Sequence, residues 1–146
     1  MPSLYDGDFI QQDLDRIRTD APEDADKLDA FLSEVAGNED ALWELLKWRA
    51  DRTYPDPVFN VHALVELQSE GFNLYRIRPL RALRDYRILY AYCSTAHEDT
   101  FYALAIVRKA PEGASISEEY YNYERNHPVT IRVLEEYDSL GLPRIC

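Results

Sequence analysis

Three runs between Phe72 and Lys109 decide the fold: Leu74-Tyr75-Arg76-Ile77-Arg78, then Asp85-Tyr86-Arg87-Ile88-Leu89-Tyr90, then Phe101-Tyr102-Ala103-Leu104-Ala105-Ile106-Val107-Arg108-Lys109. Each is rich in Tyr, Ile, Leu, Val or Phe, residues that fit a pleated, half-buried surface. They predict strands over 72–78, 86–94 and 100–109. Ala96-His97-Glu98-Asp99 is a polar hairpin loop, and Pro79–Asp85 a longer link carrying Arg81 and Arg84. Links this short favour antiparallel neighbours. Tyr86, Tyr90 and Tyr92 share a strand face, which the pattern assigns to a core under a helix.

Upstream, the period changes to that of a helix. Phe9, Ile10, Leu14 and Ile17 recur at helical spacing. Asp20-Ala21-Pro22-Glu23 reads as a helix start, with Asp20 as cap and Pro22 in the first turn. Leu28, Phe31, Leu32 and Val35 supply an apolar stripe, and Gly37 a left-handed close. Asn38 caps a third helix containing Leu42, Trp43, Leu45, Leu46 and Trp48. Tyr54-Pro55-Asp56-Pro57 reads as a rigid linker. Val61–Leu67 is ambiguous between a strand and a short helix. Downstream, Ser115–Arg125 reads as a helix capped by Ser117, His127-Pro128 as its break, and Thr130–Leu140 as a last helix closed by Gly141. The expected class is α+β: an antiparallel sheet preceded by an N-terminal helical segment and followed by C-terminal helices, in one domain over 1–146.

Composition bounds the function. The 146 residues are 46% hydrophobic, enough for a core, and carry a net charge of −11. That total argues against simple electrostatic attraction to nucleic acid. The distribution is uneven, however. Residues 1–57 hold 15 acidic and 6 basic side chains, a net −9, whereas 72–110 hold 7 basic and 3 acidic, a net +4. No run approaches the roughly 18–20 apolar residues of a membrane span, and Met1–Asp6 lacks a signal-peptide pattern. Two cysteines, Cys93 and Cys146, make no disulfide framework. The cytoplasm is the default expectation. No metal-ligand spacing, phosphate loop or dinucleotide fingerprint occurs in the sequence, so no cofactor is expected.

The constellation that can carry chemistry is arginine on strands. A period of two puts Arg76 and Arg78 on one face, Arg87 projects from the next strand, and Arg108 and Lys109 point to opposite faces. Guanidinium forks match phosphate oxygens; the plainer account is a solvated face paired with Asp85, Glu98 or helix carboxylates.

These three runs, in this order and at these gaps, resemble the core of the RelE/ParE toxin superfamily, including its HigB-like branch. The close match covers about 40 residues and a looser one most of 58–125. The resemblance implies a compact antiparallel sheet with helices on one face and a basic cleft on the other. It implies a bacterial toxin of a type II toxin–antitoxin system, an mRNA interferase that cleaves RNA without metal by 2′-hydroxyl attack. Its partners would be a cognate antitoxin, mRNA on or off the ribosome, and a second copy in a homodimer. Carried over, Arg76 and Arg78 fall on cleft cations, Arg87 on a phosphate-binding arginine, and Arg108 or Lys109 on the group serving the leaving oxygen. Tyr120, Tyr121 or Tyr123 would supply the aromatic that stacks on a base. Arg78 cannot act as a base, since its pKa exceeds about 12, so His127 is a candidate; the plainer account makes it a loop residue before proline. His62 reads as a strand-edge residue and His97 as a loop residue. The alternatives are an inactive or gyrase-directed RelE/ParE-like binding module and, more remotely, an acidic mimic of nucleic acid.

Overall fold

A computed structural model describes residues 2–47, 53–55, 57–95, 97–111, 113 and 120–144. Within them the chain runs β1 (Ser3–Asp6), α1 (Ile10–Asp20), α2 (Pro22–Ala36), α3 (Glu39–Glu44), β2 (Tyr54–Pro55), β3 (Val58–Ala63), α4 (Val65–Ser69), β4 (Leu74–Pro79), a 3-10 turn at Arg81–Leu83, β5 (Tyr86–Ser94), β6 (Asp99–Arg108) and α5 (Pro128–Ser139). The class is α+β. Six strands form one sheet in the order β1-β6-β5-β4-β3-β2. The three expected strands are consecutive antiparallel neighbours, with Ile77 opposite Ile88 and Tyr92 opposite Phe101.

The sheet is nevertheless mixed, because β1 adds to β6 in parallel. Four residues with little hydrophobic pattern gave no strand signal; pairing with a buried neighbour supplies the order that propensity lacks. Tyr54-Pro55 is not a linker but an edge strand on β3, a place where proline's missing N–H costs no ladder bond. Val61–Leu67 resolves into the end of β3 followed by α4.

Helix ends also differ from expectation. Asp20 closes α1, and Ala21 stands at the start of α2 with no side-chain cap. The second helix relies on Pro22 in its first turn and on Glu23 and Asp24 near its positive end. Gly37 has φ −92°, so it is not left-handed. Asn38 does cap α3, accepting the Ala41 N–H at 3.2 Å. Residues 120–125 are not helical, and the rest of that expected helix, with Ser117, lies mostly outside the described residues, as does Trp48. His127-Pro128 starts α5 rather than ending a helix.

Two cores flank the sheet. On one face Leu28, Phe31, Leu32, Leu42 and Leu45 pack on Phe59, Ile77, Ile88, Tyr90 and Phe101. The Tyr90 hydroxyl, fully buried, donates to the Leu45 carbonyl at 2.7 Å, tying α3's end to the sheet. On the other face Val133, Leu134 and Tyr137 of α5 cover Leu89, Leu104, Ala105 and Val107. Asp13 locks the halves together. It is fully buried and accepts Arg132 Nη1 and Nη2 at 2.9 and 2.8 Å, Arg16 at 3.0 Å and the Ile106 N–H at 2.9 Å. Removing one member of such a buried pair costs about 3–5 kcal/mol. Because α5 lies on the β5–β6 side, the β3–β4 side of the same face is left partly open among the described residues: His62 is exposed, and Arg76 and Arg78 are half-buried. Among the described residues no helix is long and apolar enough to cross a membrane.

Candidate functional site

The open face carries the arginines. Leu74, Arg76 and Arg78 share a parity, and Leu74 lies in the second core, so both arginines project on the α5 side. Continuing the register beyond Ile77–Ile88 brings Arg78 opposite Arg87. Lys109, just past β6, reaches the same face, and its ammonium sits 5.8 Å from the centre of the Tyr123 ring. Four cations thus surround one tyrosine. Among the described residues none of Arg76, Arg78, Arg87 and Lys109 forms an ion pair with a carboxylate.

The electrostatics agree with the geometry. Burial holds the Arg76 and Arg87 guanidinium pKa values below the ordinary one; Tyr123 opposes the shift, while Arg78 adds to it in both and Arg87 in Arg76. Lys109 is lowered by burial and then by Arg87 and Arg76, with Glu124 opposing. The Tyr123 hydroxyl is raised by burial, against the pull of Arg76 and Arg87. It is buried and makes no hydrogen bond of good geometry among the described residues, although the Arg87 guanidinium lies close enough to pull its pKa down by charge and by a weak hydrogen bond. Arg78 Nε is likewise buried and unpartnered. Unpaired donors under crowded positive charge are an arrangement that an anion with several oxygens completes.

Tyr123 is also conformationally unusual, with φ +63°. A bulky residue in the left-handed region costs on the order of 1–3 kcal/mol and persists only where its surroundings over-determine it. Here Tyr121 bridges Lys109 through Tyr121 N–H to Arg108 O at 2.8 Å and Ala110 N–H to Tyr121 O at 2.9 Å. Lys109 Nζ donates to Asn122 Oδ1 at 2.6 Å, and Thr130 Oγ1 to the Glu124 carbonyl at 2.7 Å.

Several sequence expectations change. Arg87 is not a solvated sheet-face residue: it is 8% exposed, and its Nη1 donates to the Arg84 and Tyr86 carbonyls at 2.6 and 2.8 Å. Arg108 points to the other face, 5.5 Å from the Tyr86 ring centre, and donates to the Tyr86 hydroxyl at 3.0 Å. It still lines a groove of about 850 Å³ shared with Arg78, Arg84, Arg87 and Lys109 and with two carboxylates, Asp24 and Asp85. Tyr121 is 1% exposed and bonded to Thr130, so it is core and offers no stacking surface; Tyr120 lines the groove. His127 is 5% exposed and lines, with Arg16, Arg108 and Arg132, a separate hollow of about 490 Å³ rather than the cluster of Arg76, Arg78 and Arg87; its Nδ1 accepts the Val129 N–H at 3.1 Å and caps α5.

The histidine set beside Arg76 is His62. The β3–β4 register sets it directly opposite Arg76, exposed, while Asn60, two residues earlier, accepts Arg76 Nη1 at 2.9 Å. Its position follows from strand register, which the ambiguous 61–67 pattern did not reveal. No family model, curated protein or solved structure matches the chain.

Proposed function

We propose that this protein is a RelE/ParE-like toxin that binds RNA on the open sheet face and cleaves it by transesterification, under the control of an antitoxin. The observation that carries the reading is the convergence of Arg76, Arg78, Arg87 and Lys109 on Tyr123 with no ion-paired carboxylate among the described residues. A phosphodiester seated there meets planar donors able to stabilise the charge that grows on its equatorial oxygens. The ribose 2′-oxygen attacks phosphorus, the P–O5′ bond breaks, and the products are a 2′,3′-cyclic phosphate and a 5′-hydroxyl. His62 takes the 2′-hydroxyl proton, a task open to an imidazole near neutral pH and closed to arginine. Lys109, whose burial and arginine neighbours favour proton release, gives a proton to the departing 5′-oxygen.

A protein-binding module without nuclease activity is the competing reading, favoured by the net charge of −11. Purified protein with a 3′-end-labelled RNA, in the presence of a chelator, tests between them. Fragments with 5′-hydroxyl and cyclic phosphate ends support the nuclease. Absence of cleavage on free RNA and on programmed ribosomes, with antitoxin binding intact, supports the module.

A further inference from the structure

Next to the arginines lies a hollow of about 280 Å³. Leu64, Val65 and Leu67 form one wall and Tyr123 another, while Arg76 and Glu66 are its polar members. Leu64 and Leu67 belong to the core, but Val65 is 73% exposed, more than any other large apolar side chain exposed among the described residues. Arg76 and Tyr123 belong to both the hollow and the cation cluster, so a single ligand can span the two. Its anionic part would lie on the arginines and its flat, weakly polar part against Val65 and the tyrosine.

We propose that this hollow is a nucleobase subsite and that Glu66 selects among bases; the inference rests on the reading of the arginine face as a phosphate site. The volume is just below that of small-molecule pockets, roughly 300–1,000 Å³, and suits one planar ring system. A carboxylate only accepts hydrogen bonds. Guanine presents two neighbouring donors, N1–H and the 2-amino group, and matches both carboxylate oxygens. Adenine and cytosine offer one exocyclic amine, and uracil a single imino N–H between two carbonyls that face the carboxylate unfavourably. Arg76 at the same hollow offsets the charge Glu66 brings near a polyanion. The expected order is guanine first and uracil last.

The test uses the full chain and calorimetric titration with inorganic phosphate, the four nucleoside 3′-monophosphates, and guanosine and uridine without phosphate. Guanosine 3′-monophosphate should bind at least about tenfold more tightly than phosphate or uridine 3′-monophosphate, a difference of about 1.4 kcal/mol. Glu66→Gln should erase the guanine preference while phosphate affinity holds or rises, since a negative charge beside Arg76 is removed, and Val65→Asp should weaken all four nucleotides relative to phosphate. Phosphate binding with no added affinity from any base overturns the subsite and leaves the arginine reading intact. A guanine preference that survives Glu66→Gln overturns the role of Glu66. Phosphate failing to bind while guanosine outbinds uridine keeps the subsite and removes the arginine reading; failure of both removes both.

Discussion

Arg78 and Arg87 face each other across β4 and β5 on one sheet surface, in the register that follows Ile77 opposite Ile88. Like charges directly opposite on neighbouring strands destabilise a sheet, and burial then Arg78 both hold the Arg87 guanidinium below its ordinary pKa. The two are not equivalent, however. Arg87 is anchored by the Arg84 and Tyr86 carbonyls, whereas Arg78 keeps a buried Nε unpartnered among the described residues. Arg78→Ala should therefore leave the melting temperature unchanged or raise it slightly, while phosphate and RNA affinity fall about tenfold, or roughly 1.4 kcal/mol. Arg87→Ala should lose affinity and also about 1–3 kcal/mol of stability, because two carbonyls lose their donor. Thermal melts alongside binding titrations check both. A strongly destabilised Arg78→Ala protein would mean that this arginine serves the fold.

His62 and Lys109 flank those arginines from opposite sides, β3 and the end of β6. Base and acid on either side of a held phosphodiester suit an in-line displacement, and each positioned proton carrier contributes about 10²–10⁴-fold. His62→Gln should preserve RNA affinity within about twofold and cut the cleavage rate by at least about 100-fold. Single-turnover cleavage with saturating protein separates the two effects. Equal loss of affinity and rate would instead make His62 a binding residue.

Tyr123 keeps a buried hydroxyl with no hydrogen bond of good geometry among the described residues, on a backbone at φ +63°. An unmade buried hydrogen bond costs about 1–3 kcal/mol, so Tyr123→Phe should be as stable as the parent or more so. If RNA supplies the missing partner, the same substitution should lower affinity while the ring still packs beside Lys109. Denaturant unfolding with and without a non-cleavable 2′-deoxy oligonucleotide measures both. A phenylalanine variant that binds as well as the parent would confine the tyrosine to ring contacts.

The central strands were legible because β-prone residues alternate cleanly between two cores, and the same period put Arg76 and Arg78 on one face. The rest depended on partners distant in sequence. β1 carries four residues whose order comes from parallel pairing to β6. His62 reached the site through the β3–β4 register, and Tyr123 through the Lys109–Tyr121 bridge. The burial of Arg87 follows from the tight turn before β5, which aims the Arg84 carbonyl at it. The start of α5 was the exception. Proline at the first helical position after a residue able to accept an N–H is a local signal, and His127-Pro128 carried it.

Glu136 gives the fold a pH dependence whose sign is fixed by its surroundings. It is 5% exposed on α5, and its Oε2 accepts the Asp8 N–H at 2.7 Å while Oε1 has no partner among the described residues. The chain passes so close here that a Cβ on Gly7 would lie 2.7 Å from Oε2 and 2.8 Å from the Ala103 carbonyl. Burial raises the Glu136 pKa above the ordinary 4.5, outweighing the Asp8 N–H and Arg132, which pull it down; Asp8 and Asp13 add to the rise. A carboxyl with a raised folded pKa stabilises the fold fully below the unfolded value and loses that contribution as pH climbs through the folded value. At pH 7 the ionised, buried carboxylate is therefore a net cost. Glu136→Gln keeps the shape and an acceptor for the Asp8 N–H without the charge. It should melt higher than the parent at pH 7, with the gap closing as pH falls through the raised folded pKa and closed once pH is below the ordinary value of about 4.5. Urea unfolding of both proteins from pH 7 to pH 4 measures the gap directly. A difference that stays constant across that range, or a parent more stable at pH 7, would show that the carboxylate is held in its charged form by the Asp8 N–H and Arg132.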